Sequence, residues 1–281
     1  MKQVFKMNKI FFALVAFAVL CSPLVFAAQV DVYFPKSQVV SDNGVVDLGI
    51  VGPGQTLKIG IRSNTNEFHK TTGKEFLWSQ LKILQNSLPI GWSSEDSLLF
   101  ASEKIASVIV SKDAKDGTYT FDLKVVQDAG QIEPLTFKAK IRVTKEVFDL
   151  ILLNEPVKAE AGENAVYFFK LKNKSSASEA FKIVAKGLPS GIATEYDSPL
   201  IAPFSEQTIE YSLNPKEQGN YKFTIFATAL SSDKLIKQQE FLLFVGSSIF
   251  GDLKATTRGA MIFPSIEQAI YSLFGLLSLL F

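Results

Sequence analysis

Few residues in this chain have the side chains that chemistry needs. There is one histidine, His69, set between Phe68 and Lys70 in a polar stretch, and one cysteine, Cys21. A single imidazole and a single thiol exclude histidine triads and cysteine-cluster metal sites. A general base also needs an orienting partner and a nucleophile, and neither stands near His69 in sequence. Glu95-Asp96, Asp113 and Asp116 are carboxylates of the type used in glycosidase pairs and calcium loops. Their spacing fits neither, and acidic turns are the simpler reading. Gly52-Pro53-Gly54 lacks the Gly-Lys-Ser/Thr sequel of a phosphate loop and precedes strand-like sequence. No catalytic residue, cofactor site or metal site emerges, and the chain reads as a non-enzyme. Two tryptophans remain: Trp92, and Trp78, which is the candidate for a ligand surface because exposed aromatic rings bind sugars. Asn173-Lys174-Ser175 fits the N-glycosylation acceptor, making Asn173 a candidate glycan site.

Charge points away from nucleic acid. Twenty-nine basic residues face 28 acidic ones, and only Arg62, Arg142 and Arg258 are arginines, so a phosphate backbone would meet no large basic surface. The first 27 residues carry Lys2, Lys6 and Lys9 ahead of the apolar run Ile10 to Phe26, then small residues around Ala27. This is the pattern of a signal peptide cleaved between Ala27 and Ala28. Cys21 falls within it and lacks the flanking residues of a lipobox. Removing the segment leaves 26 basic and 28 acidic residues and no cysteine. The exported chain must therefore be held by its cores alone, which suits a prokaryotic surface.

Between Val30 and Val245 the pattern is that of strands. Thr56 to Arg62, Thr118 to Val125 and Phe137 to Val143 alternate apolar and polar residues, with Gly, Pro, Asn and Asp clustered between the runs. The pattern also repeats. Gly54-Gln55-Thr56 is echoed by Gly162-Glu163-Asn164, and Leu88-Pro89-Ile90-Gly91-Trp92 by Leu188-Pro189-Ser190-Gly191-Ile192. Asp116-Gly117-Thr118-Tyr119 is echoed by Gln218-Gly219-Asn220-Tyr221. The offsets are about 108, 100 and 102 residues, so two homologous units are expected, at 28–146 and 147–246, with an insertion in the first around His69 to Glu75. Units of ~100 residues with about seven strands predict immunoglobulin-like antiparallel β-sandwiches, with the repeated Gly-x-Tyr playing the part of a tyrosine corner.

Residues 160–245, with Leu188-Pro189-x-Gly191, Ala202-Pro203 and Asn214-Pro215 leading to Gly219-Asn220-Tyr221, resemble the alpha-galactosidase-associated Ig-like family and related modules of archaeal and bacterial surface-layer proteins. The resemblance implies a seven-stranded sandwich in exported, often membrane-anchored chains, with no catalytic residue to carry over.

Beyond a linker at 247–259, residues 260–281 are mostly apolar and predict a C-terminal membrane-anchoring helix, Ser265-x-x-Gln268 having the form of its cap. Ser272, Gly275 and Ser278 fall on one side of that helix as a candidate packing face. The expectation is a non-enzymatic, membrane-anchored surface protein on the outer face of the cytoplasmic membrane. Its tandem domains would serve adhesion, envelope structure or partner binding, and its partners would be the membrane together with a protein or polysaccharide. An accessory subunit docked through its tail helix and a carbohydrate-binding module are the alternatives.

Overall fold

Alternating sequence becomes paired strands when each strand can turn one face to a core and the other to water. The structure, a computed structural model, describes residues 28–154, 157–189, 192 and 196–246. The expected signal peptide at 1–27, linker at 247–259 and tail helix at 260–281 lie outside the described residues. Within the described residues the protein is all-β, with one short 3-10 turn at Gln85–Ser87. No helix among them is long and apolar enough to cross a membrane.

The first domain contains β1 (Gln29–Phe34), β2 (Gln38–Ser41), β3 (Val45–Val51), β4 (Thr56–Ile61), β5 (Asn64–Phe68) and β6 (Glu75–Leu77). It continues through β7 (Gln80–Ile83), β8 (Ser93–Glu95), β9 (Lys104–Ile109), β10 (Gly117–Val126) and β11 (Leu135–Val143). One sheet runs β2-β1-β4-β9-β8 and the other β3-β11-β10-β7, while β5 and β6 form a hairpin of their own. The second domain contains β12 (Phe148–Leu152), β13 (Val157–Glu160), β14 (Ala165–Asn173), β15 (Phe181–Lys186), β16 (Tyr196–Asp197), β17 (Glu206–Leu213), β18 (Gly219–Ala229) and β19 (Ile236–Gly246). Its sheets run β12-β14-β17 and β13-β19-β18-β15-β16.

The two plans share a common set of eight strands, to which the first domain adds β2 and the β5–β6 hairpin. In each domain an early strand pairs parallel with the last one, β3 with β11 and β13 with β19, while the neighbouring pairs are antiparallel. Each pair of sheets closes over its own apolar cluster, one drawn from residues between Val30 and Val143 and the other from residues between Val147 and Val245. A buried Val, Leu, Ile or Phe side chain contributes about 1.5–3 kcal/mol, so cores of this size hold without disulfides.

The sequence echoes are structural. Tyr119 donates its hydroxyl hydrogen to the carbonyl of Lys115 at 2.9 Å, and Tyr221 donates to Glu217 at 3.0 Å. In the Leu-Pro-x-Gly loops, Trp92 N–H donates to Pro89 O and Ile192 N–H to Pro189 O. Trp92 packs on Tyr119 and Phe121, at centroid distances of 5.2 and 6.5 Å. One of the shared strands differs in its sheet. β8 pairs with β9 in the first sheet of its domain, whereas its counterpart β16 crosses over to pair with β15. The switch leaves β17 as a sheet edge, and Glu206, Thr208, Glu210 and Ser212 point outward along it.

The domains stack end to end. The end of β3 and the loop after it meet the top of the second domain, where Ile50 packs against the second core and Ser176 N–H donates to Ile50 O at 2.7 Å. Gln55 Nε2 donates to the buried Glu179 carboxylate at 2.9 Å, and Ser231 also donates to that carboxylate. Ion pairs Lys234–Asp113, at 2.6 Å, and Lys237–Glu146 flank the joint. Gly54, at φ +82°, is needed here because a Cβ would stand 2.4 Å from the carbonyl of Ser231.

Candidate functional site

The free end of the first domain carries the strongest candidate. Strand register fixes which end that is. In the β4–β9 pair, Thr56 stands opposite Ile109 beside the interdomain loop, and Ile61 stands opposite Lys104 at the far end. Residues 62–79, 97–103 and 127–134 therefore gather at the tip, away from the second domain.

The insertion between β4 and β7 is the β5–β6 hairpin. Thr65 Oγ1 donates to Phe76 O at 2.7 Å, and Trp78 N–H donates to Ser63 O at 2.7 Å. His69 closes its turn, with Nδ1 accepting from the N–H groups of Thr71 and Thr72 and the ring standing edge-on to Phe76 at 5.8 Å. That is a turn-filling role, with no nucleophile beside it.

Next to the hairpin, two backbone bonds pin a short loop. Ser97 N–H donates to Leu81 O at 2.9 Å and Phe100 N–H to Ser79 O at 3.0 Å. Leu98 and Leu99, between the anchors, face outward, and Leu98 is 78% exposed. Phe100 takes a left-handed φ of +57° and leaves its ring 64% exposed. For a bulky residue that conformation costs on the order of 1–3 kcal/mol. Phe204 does the same at φ +54°, in the turn just before β17 of the second domain. There the ring lies at the joint, 3.6 Å from where a Cβ on Gly49 would stand. Phe204 is exposed as well, at 53%.

A cleft of about 650 Å³ lies between hairpin and loop, walled mainly by Phe76, Leu77, Trp78, Phe100 and Ala101. Lys104 also lines it and is only 4% exposed. The inward row of β9 reads Lys104, Ala106, Val108, so a lysine occupies a core-facing register. By its pairing with Ile61 it stands where Ile209, opposite Phe169, stands in the second domain. Its Nζ donates to Ser63 Oγ at 3.2 Å and to the carbonyl of Ala101. Among the described residues no carboxylate pairs with it, and burial pushes its pKa below the usual lysine value. A cation held by neutral acceptors alone in an apolar wall keeps most of its desolvation cost. Sequence alternation does not reveal it, because Ile105 and Ile109 make the opposite parity of β9 look equally apolar.

Two predicted sites are corrected. Trp78 is 1% exposed, its indole N–H donating to Gln29 O at 3.4 Å, so it backs the cleft as part of the core and offers no open ring face to a sugar. Asn173 is 1% exposed and its amide donates to the carbonyls of Ala177, Ile201 and Ala202, at 2.8, 3.2 and 3.1 Å. Its Oδ1 accepts from the N–H and hydroxyl of Ser175. A nitrogen so occupied is a loop staple, inaccessible for glycosylation in the folded chain. Ser272, Gly275 and Ser278 lie outside the described residues. Of the acidic residues, Asp96 accepts from Ile83 N–H at 2.8 Å and Asp113 pairs with Lys234. No group of three or more His, Cys, Asp or Glu is placed to hold a metal among the described residues.

No protein-family model and no curated protein matches the chain. Among solved structures it is similar to a chimeric titin Z1Z2, with 14% identity over 79% of this chain and 99% of that one, at a TM-score of 0.35. A β-glucosidase from Listeria innocua matches at 16% identity and a TM-score of 0.26, over 36% of this chain and 16% of the enzyme. A CARDB domain from Pyrococcus furiosus, solved with di-metal ions, matches at 15% identity and a TM-score of 0.26, over 36% of this chain and 90% of that domain. Likenesses this distant carry nothing about activity.

Proposed function

We propose that this is an exported, membrane-anchored, non-enzymatic surface protein that displays the tip of its first domain to a protein partner. The observation that carries this reading is the uncovered tip. Leu77, Leu98, Leu99 and Phe100 are exposed there around one cleft and its adjoining loop, whereas at the other end of the first domain Ile50 and Gln55 are engaged by the second domain. Contiguous apolar surface of this kind marks interaction sites on soluble domains. The geometry suits display. Gly246, paired with Glu160, leaves the second domain at the end remote from the joint, so a tail helix following it would project the tip outward. Export and anchoring rest on the charged and apolar pattern of residues 1–27 and on the apolar run 260–281. The resemblance of residues 160–245 to surface-layer-type modules supports the same proposal. With Trp78 in the core, the polysaccharide alternative loses its motivating residue.

The test is fractionation of cells expressing the full chain and a chain ending at Val245. The full chain is expected in carbonate-washed membranes and the shorter one in the released fraction, with external protease cleaving the full chain on intact cells. A full chain that washes off with carbonate, or resists external protease until lysis, contradicts the reading.

A further inference from the structure

A buried cation is ordinarily answered by an anion, and Lys104 is not answered from within the described chain. Its Nζ carries three hydrogens. Two go to Ser63 Oγ, at 3.2 Å, and to the carbonyl of Ala101, and the third has no acceptor among the described residues. Lys104, Ser63 and Ala101 all belong to the lining of the cleft between hairpin and loop. In the second domain the same register holds Ile209, an apolar side chain in an apolar core, so the fold itself has no need of a charge there. The cleft is also held in shape. Trp78 N–H donates to Ser63 O at 2.7 Å, Phe100 N–H to Ser79 O at 3.0 Å and Asp128 N–H to Ser79 Oγ at 3.0 Å. These bonds tie the hairpin, the loop at 97–103 and the loop after β10 to one another. The volume of about 650 Å³ falls within the ~300–1,000 Å³ of small-molecule pockets.

We propose that this cleft binds a small monocarboxylate with an apolar body, its carboxylate on Lys104 Nζ and its body against Phe76, Leu77 and Phe100. The assignment goes beyond the display function above and does not depend on it. Leu98 and Leu99 stand outside the cleft lining and stay open to a protein partner. Each part of the ligand follows from a part of the site. A neutral ligand leaves the desolvation cost of the ammonium standing, whereas a carboxylate oxygen gives the third hydrogen a charge-assisted bond. The aromatic and leucine walls take hydrocarbon. Glu75 and Asp128 line the cleft as well, and neither pairs with Lys104. Glu75 already accepts from Asn64 Nδ2 at 3.2 Å and from Asn66 N–H at 2.8 Å. These two carboxylates repel a second negative charge, which favours a single carboxylate over a dicarboxylate or a phosphate.

Hexanoate is the probe, set against three relatives that each lack one requirement. Hexanamide is neutral, hexanedioate carries a second carboxylate, and acetate has no apolar body. Each is titrated into the purified, isotope-labelled full chain and followed by NMR, so the result is independent of where the chain resides in a cell. Hexanoate is expected to shift the amides of residues 76–79, 100–104 and 127–129 and to bind about tenfold more tightly than any of the three. In K104M, an apolar replacement of similar length, hexanoate loses its advantage over hexanamide, while the amide spectrum elsewhere and the melting temperature show a folded chain. The comparison of acid with amide on the unaltered chain decides the matter whether or not K104M folds. Equal affinities for hexanoate and hexanamide, binding of hexanedioate or acetate as tight as that of hexanoate, shifts away from the cleft, no shift at millimolar hexanoate, or an advantage that survives K104M overturns the proposal.

Discussion

Lys104 is the side chain whose surroundings contradict its type, and the contradiction has consequences in solution. Burial holds its native pKa below the ordinary 10.5. Between the lowered native value and 10.5 the unfolded chain binds more protons on this amine than the folded one, so unfolding free energy rises with pH through that window. Alkaline thermal melts are expected to show this rise and K104M to lack it, while K104M at neutral pH is more stable by about 1 kcal/mol or more. A K104M melting temperature below the parent at neutral pH contradicts this account. Ser176 tells a similar story at the joint, where its buried hydroxyl oxygen has no hydrogen-bond partner. Ser176→Ala is expected to raise stability by roughly 1 kcal/mol in denaturant melts, since it deletes an unsatisfied polar group. Neither residue announces itself in sequence. A lysine between Glu103 and Ile105 and a serine in a Ser-Ser-Ala run both read as surface until register and stacking place them inward.

Strands and turns were far more legible than sites, for a physical reason. Gly-x-Tyr repeats because the tyrosine hydroxyl must return to a carbonyl four residues back, a local requirement visible at fixed spacing. Tyr119→Phe and Tyr221→Phe are each expected to cost about 1 kcal/mol in melts, each by loosening its own domain. Gly54 repeats as Gly162 with the same left-handed backbone, φ +82° and +79°. Only Gly54 also meets the carbonyl of Ser231 across the joint, so sequence shows the shared turn and hides the contact. Gly54→Ala is therefore expected to cost more than backbone strain alone and to expose sites at 174–180 to protease. The exchange of β8's place by β16 was not legible, because two short strands of two and three residues carry too little alternation to choose a sheet. The edge this leaves on β17 is protected by Glu206 and Glu210, a charged row that discourages pairing with another chain.

For the molecule as a whole, the contacts at the joint set how the first domain stands on the second. Its flanking pairs titrate. A hydrogen bond and the charge of Lys234 lower the pKa of Asp113 below its ordinary 3.8, and Lys237 does the same to Glu146 below 4.5. Depressed carboxyl values mean that these contacts contribute fully above the ordinary pKa and are lost as pH falls through the native ones. Both pairs are exposed, so the effect belongs to domain orientation more than to domain stability. Small-angle scattering is expected to show a larger radius of gyration near pH 3 than at pH 7 with both domains folded, and D113N/E146Q is expected to show the larger value already at pH 7. An outward tip on such a stack can be checked directly, because Cys21 is the one natural cysteine and it lies in the segment expected to be cleaved. Leu98→Cys is placed on the exposed tip loop of the full chain, and intact cells are treated with a membrane-impermeant maleimide. Labelling on intact cells, blocked by prior exposure to a bound partner, is the result this account requires; labelling that appears only after lysis contradicts it.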